Sequence, residues 1–179
     1  RLPSHPCKHS LDILEASSGS LGHGLGIATG MAYSMLLRAQ NALTVALLSD
    51  GECNEGSTWE AAMFAAAKKL TNVVAIVDNN NTQAVGRSDE LTGFTSIEEK
   101  FQAFGWNAIT INGNDMAEIV SALDGLVFGE KPNAIIAKTQ PAAGISFMAG
   151  DMEWYYRRPN DEDVARGLAE LGTNPMWKS

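Results

Sequence analysis

Four short apolar runs, Leu43–Leu48, Val73–Asp78, Trp106–Ile111 and Asn133–Lys138, alternate with stretches of helical period, and this alternation constrains the fold more than any other feature. None of the runs shows the strict polar alternation of a solvent-facing strand, so each reads as a buried parallel strand. The helical patterns are Leu21–Leu37, Ser57–Leu70, Ser96–Phe104 and Asp115–Val127. Strands interleaved with helices of this length build βαβ units with right-handed crossovers. The expected fold is α/β, a mostly parallel sheet with helices on both faces. Breakers fall between elements: Gly105 precedes the third strand, and Gly129 and Pro132 precede the fourth.

The ends of the chain differ from its middle. Arg1–Glu15 has no clear period and carries Pro3, Pro6, His5 and His9. Past Lys138 the sequence is irregular through Pro141, Gly144, Gly150 and Pro159, and then Asn160–Leu171 reads as a short helix. Asn160 would cap it, with Asp163 three residues on, close to a capping box. Residues 1–139 therefore read as one α/β domain, and 140–179 as an extension packed on it.

At 179 residues a chain can bury about two-thirds of its unfolded surface, so its core needs no disulfide staples. A net charge of −8 argues against nucleic acid, which attracts basic surfaces. Cys7 and Cys53 alone make neither a disulfide framework nor a zinc site. No apolar run approaches the roughly 18 residues of a membrane helix, and Arg1–Ser10 does not read as a signal peptide. The expected compartment is the cytoplasm.

The first helical pattern is unusual. Gly22, Gly26 and Gly30 recur at every fourth position, with Gly24, Ala28 and Ala32 in a row beside them. Each glycine costs about 1 kcal/mol relative to alanine inside a helix, so the row needs a reason. Either the segment is partly non-helical, or another backbone approaches it closely. The helical spacing of its apolar neighbours favours the second.

The chemistry concentrates at two strand ends. The first strand runs into Ser49-Asp50-Gly51, the second into Asp78-Asn79-Asn80-Asn81. Ligands of open α/β sheets sit beyond the carboxyl ends of the strands, and a βαβ crossover sets two such ends side by side. Asp50 offers a carboxylate, Asn80 a side-chain carbonyl, and the turn after it a backbone carbonyl. Hard oxygen donors of this kind suit Mg²⁺ that keeps waters or phosphate oxygens. Gly51–Glu60 holds no basic residue, so a divalent cation would have to bridge this acidic chain to a phosphate. The helix start near Gly56 would add N–H donors. The same residues also read as a helix cap and a polar turn.

Ser49-Asp50-Gly51, Glu55-Gly56 and Asp78-Asn79-Asn80 resemble the thiamine diphosphate motif, Gly-Asp-Gly followed some thirty residues later by Asn-Asn. The surrounding Glu55-Gly56-Ser57-Thr58-Trp59-Glu60-Ala61-Ala62-Met63-Phe64-Ala65 is similar to transketolases. So are Ser18-Gly19-Ser20-Leu21-Gly22-His23-Gly24 upstream, and Gly144-Ile145-Ser146-Phe147-Met148 with Trp154 downstream. The likeness runs from Leu2 to Leu171 and is strongest to the N-terminal subunit of two-subunit transketolases.

This resemblance implies a three-layer thiamine diphosphate-binding (PP-type) domain and a subunit that transfers a two-carbon ketol unit between sugars or sugar phosphates. Asp50, Asn80 and the Thr82 carbonyl would hold Mg²⁺. Gly51 would touch the diphosphate, and Gly19, Ser20 and Leu21 the thiamine part. His5 would meet the sugar donor, and Glu55 and Glu60 would line a channel between the two cofactors of a dimer. Plainer readings exist for these last three: a surface histidine, a helix-dipole acid and a solvated helix charge. The activating glutamate of the family lies in the pyrimidine-binding part, so the resemblance implies a partner subunit carrying it, in a heterotetramer or larger dimer-based assembly. Alone, the chain is expected to be inactive.

Departures from the family pattern are informative. Ser49 stands for the first glycine, and His23 for the usual glutamine. Tyr155 follows Trp154 where relatives carry a histidine that contacts cofactor and substrate. With a pKa near 10, tyrosine can donate a hydrogen bond but cannot shuttle protons at neutral pH as histidine does. Relatives carry an N-terminal segment with another active-site histidine ahead of the position of Arg1, and the expectation is that this chain lacks it. Two alternatives remain open: another thiamine diphosphate enzyme with an unusual sugar substrate, or a non-catalytic partner subunit. A dinucleotide fingerprint is excluded, because the glycines from Gly22 to Gly30 follow polar Ser17–Ser20 instead of a strand.

Overall fold

The computed structural model describes residues 5–93 and 95–172. Four strands form one sheet: β1 (Thr44–Ser49), β2 (Val73–Asn79), β3 (Asn107–Asn112) and β4 (Asn133–Lys138). Their spatial order is β1-β2-β4-β3, and every pairing is parallel. Each strand lies within a residue of its expected position, because each apolar run is bounded by a turn residue or a cap.

Among the described residues, six α-helices connect and flank the strands: α1 (Gly24–Leu37), α2 (Gly56–Ala67), α3 (Ser88–Thr92), α4 (Ile97–Ala103), α5 (Met116–Asp124) and α6 (Asp161–Glu170). Leu25, Ala28 and Ala32 of α1, Ala62 and Ala65 of α2 and Phe101 of α4 share one core with Ala46, Leu48, Val73, Ala75, Val77, Ala134 and Ile136 of the sheet. Trp59 ties α2 to α4, its ring 5.2 Å from Phe101 and 5.5 Å from Phe104. Trp106 is 2% exposed and donates its indole N–H to the Ala62 carbonyl at 2.9 Å, which satisfies its one polar atom in the core.

The crossover from β3 to β4 steps back along the sheet, so right-handedness carries α5 to the opposite face. Alternate residues such as Val74, Ile135 and Ala137 bury there, with Ala122 of α5. Coverage of this face is uneven. Val45 and Leu47 on edge strand β1 are 53% and 74% exposed.

The glycine row corrects one expectation. Gly22 has φ +82°, so it stands outside the helix, which begins at Gly24. A Cβ at Gly22 would meet Ser57 Oγ at 2.4 Å, so close approach does explain this residue. Gly26 and Gly30 are helical and exposed, with nothing within 4 Å of a Cβ built on either. No backbone of the described residues packs against them. The Asn160–Asp163 capping box forms at the start of α6 as expected.

Candidate functional site

The turn after β1 is stapled to the helix that follows it. A short 3₁₀ turn, Glu52–Asn54, leads into α2, and the Thr58 hydroxyl and the Trp59 indole donate back to the Glu52 and Cys53 carbonyls at 2.9 and 2.8 Å. Asp50 is thereby fixed at the strand end, 4% exposed, and Ser49 pairs with Asp78 in the β1–β2 register. Asp50 Oδ1 accepts from the Gly51 N–H at 2.9 Å, and Oδ2 from the Ser88 hydroxyl at 2.7 Å. Its carboxylate caps no helix, which removes the plainer reading of this residue. Burial pushes the Asp50 carboxyl above its ordinary range, against the lowering effect of the Ser88, Gly51 and Asn81 hydrogen bonds, with the Asp78 charge adding to the rise.

At the neighbouring strand end, Asn80 Nδ2 donates to Asp78 Oδ2 at 3.1 Å, and the Thr139 hydroxyl donates to Asp78 Oδ1. These bonds fix the amide so that Asn80 Oδ1 accepts from the Thr82 N–H at 2.8 Å. Among the described residues no donor reaches the Thr82 carbonyl oxygen. Asp50 and Asn80 line one cavity of about 490 Å³ together with Asn54, Ser88, Asp89 and Lys138.

This donor set fits a hard divalent cation. It holds one buried carboxylate without a cationic partner among the described residues, one oriented amide oxygen and one unengaged carbonyl. No group of three or more His, Cys, Asp or Glu side chains is clustered for a metal among the described residues. Mixed, charge-poor oxygen donors of this kind could hold Mg²⁺ completed by phosphate, and differ from the donors of a zinc-like cage.

A second group of residues meets at the start of α2. The Gly22 N–H donates to buried Glu52 Oε1 at 3.0 Å, and its carbonyl accepts from Ser57 Oγ at 2.8 Å. This double clamp anchors the Gly19-Ser20-Leu21 loop, and all three of those residues are exposed. His5 packs on Gly19, which has φ +147° and where an added Cβ would crowd the imidazole at 3.0 Å. Glu55 caps the α2 backbone without a side-chain bond, and Glu60 lies on α2; both are exposed.

The space beside Gly51 is filled by Gln83, which a Cβ there would meet at 3.0 Å. Tyr155 is 51% exposed, outside the cavity lining, its ring 4.9 Å from that of Tyr156. Tyr156 in turn donates to the Ala84 carbonyl at 2.6 Å, tethering residues 140–172 to the loop after Asn80. Sequence reasoning passed over Ser88, Gln83 and Glu52. Ser88 and Gln83 follow no motif, whereas Glu52 sits inside one, next to the Asp-Gly pair.

Residues 1–178 match the family described as transketolase, thiamine diphosphate binding domain. The chain is 37% identical to one of the subunits of the apulose-4-phosphate transketolase of Actinobacillus succinogenes, over 96% of this chain and 62% of that protein. It is 33% identical to the SqwG subunit of the 6-deoxy-6-sulfo-D-fructose transketolase of a Clostridium species, over 95% and 62%. It thus spans about three-fifths of the length of these relatives. The solved structure of transketolase from Campylobacter jejuni superposes with a TM-score of 0.81 at 30% identity, covering 91% of this chain and 27% of that one. With this fold, these strand-end donors and these relatives, the chain belongs to the transketolase family and corresponds to its thiamine diphosphate-binding domain.

Proposed function

We propose that the chain is the cofactor-binding subunit of a split transketolase, transferring a two-carbon ketol unit between sugars or sugar phosphates with a pyrimidine-binding partner subunit. One observation carries this reading most: a buried Asp50 carboxylate, an oriented Asn80 amide and the free Thr82 carbonyl stand at neighbouring strand ends. In this reading those oxygens hold Mg²⁺, and thiamine diphosphate supplies the carbon that takes up and hands on the ketol unit. Glu52 and Ser57 hold the Gly19–Leu21 loop in place for the thiamine part through Gly22. His5, packed on Gly19, would face the sugar. Glu55 and Glu60 are exposed on the α2 side, as channel residues between protomers would be before assembly. Residues 140–172 serve as an extension of the same domain, bound to its cofactor loop through Tyr156. No helix among the described residues is long and apolar enough to cross a membrane, and the proposed compartment is the cytoplasm.

The relatives from Actinobacillus succinogenes and Clostridium are each named for an uncommon sugar phosphate or a modified sugar. Tyr155, in the place of a family histidine, fits a pocket specialised in the same direction. A phenol keeps one donor and loses the titratable imidazole, so it restricts shape more than it moves protons. The test is to assemble the chain with its partner, thiamine diphosphate and Mg²⁺, and measure ketol transfer from a panel of ketoses. Turnover dependent on both proteins and both cofactors is expected, and Tyr155→His should reorder the donors by kcat/KM while leaving cofactor Kd unchanged. Cofactor binding without turnover of any donor would favour a non-catalytic partner subunit, the reading that Tyr155 alone supports.

A further inference from the structure

Ser88 is eight residues past Asn80 and 38 past Asp50, yet its hydroxyl lies 2.7 Å from Asp50 Oδ2. Gln83 Nε2 donates to the same hydroxyl at 3.0 Å. A serine hydroxyl has one hydrogen, and an ionised carboxylate only accepts, so the Gln83 bond commits that hydrogen to Asp50. The Gln83 side chain lies against Gly51, where a Cβ would crowd it at 3.0 Å. The loop that carries both residues is closed on itself. Gln83 and Gly86 exchange backbone bonds, and Asn81, at φ +57°, accepts from the Ser88 N–H through its carbonyl and from the Asp89 N–H through Oδ1.

We propose that Ser88, held by Gln83, is a positioning residue that aims the Asp50 carboxylate at the Mg²⁺ of the site and locks the Thr82 loop to the first strand end. The proposal rests on the reading of Asp50 as a metal ligand. The Gly51 N–H, the Ser88 O–H and the Asn81 N–H each take up one lone pair of the carboxylate, which fixes the plane of the group and leaves a lone pair for the cation. Removing the hydroxyl lets the carboxylate rotate and uncouples the loop from β1. Partners of this kind, one step behind a ligand, typically change metal affinity by about 10–100-fold.

Mn²⁺ in place of Mg²⁺ provides the readout: titration of free Mn²⁺ by electron paramagnetic resonance, on the assembled protein at saturating thiamine diphosphate. Ser88→Ala should weaken Mn²⁺ by roughly 10–100-fold, Ser88→Thr should restore it, and the melting temperatures of the two metal-free variants should agree. Ser88→Ala binding as tightly as wild type, while Asp50→Ala does not bind, overturns this inference and leaves the metal site standing. Equal losses in Ser88→Ala and Ser88→Thr also overturn it, since the effect would then come from loop packing. Unchanged binding in Asp50→Ala removes the underlying metal reading as well. Should Ser88→Ala fail to fold, Gln83→Leu, which frees the hydroxyl to turn away, replaces it: a several-fold loss is expected, and unchanged affinity overturns the proposal.

Discussion

Asp50 and Asn80 follow strands whose register is set by continuous parallel pairing, Thr44 with Val73 through Ser49 with Asp78, above a core that runs into Trp106 and Phe101. Residues 140–172 contain no strand, and their described bond to the loop after Asn80 is one phenol, Tyr156, on one carbonyl, that of Ala84. The first region places chemistry by backbone geometry, which tolerates no slip without moving every side chain. The second places Tyr155 by exposed side-chain contacts, which change at little cost to the fold. Under the proposed function, a family could hold its cofactor constant at the strand ends and vary its substrate from the extension.

The sharpest way to break this contrast is in the core beneath the strand ends. Trp106→Ala removes a buried indole, its bond to Ala62 and its 5.1 Å contact with Phe101, and should cost about 3–5 kcal/mol in urea unfolding. A loss under 1 kcal/mol would show that the sheet region is not the rigid one.

Burial of the Asp50 carboxyl at its strand end weighs on stability. Its folded pKa is raised by burial, so the native state keeps this proton to higher pH than the unfolded chain does. Stability of the metal-free protein should therefore fall as pH rises from the unfolded carboxyl value, about 3.9, through the raised native value. Asp50→Asn should unfold later than wild type at neutral pH in chelator and lose that pH dependence, whereas a less stable Asp50→Asn would contradict it.

The strands were legible in the sequence because each is a short apolar run ended by a breaker or a cap, and the proposed metal donors could be named because they are the polar residues at two of those ends. The start of α1 was not. Gly22 looks like one more glycine at helical spacing, and its positive φ follows from the distant Glu52 and Ser57 clamp. The five-residue helix α3 is too short to carry a period, so nothing in the local pattern marks Ser88. Its bond to Asp50 depends on a closure of the chain that no local pattern encodes.

Smaller effects sharpen the contrast further. Gly26→Ala meets open space and removes a helix-interior glycine, so the isolated chain should gain up to about 1 kcal/mol. If the same change weakens assembly with a second chain by sedimentation, the exposed face of α1 is an interface; if it does not, that face is solvated. Tyr156→Phe loses one largely exposed hydrogen bond and should cost about 0.5–1 kcal/mol. Its hydrogen-exchange signature should be confined to residues 82–86 and 140–156, and spreading into β1 or β2 would mean that the extension supports the sheet.

Most direct is calorimetry of thiamine diphosphate binding to the assembled protein, with and without Mg²⁺, in wild type and Asp50→Ala. Binding in wild type should require Mg²⁺, and the variant should lose about 3 kcal/mol, roughly a hundredfold in Kd, the scale of a lost bond to a charged group. Equal affinity in the two proteins, or wild-type binding indifferent to Mg²⁺, would contradict the assignment of these strand ends as the cofactor's anchor.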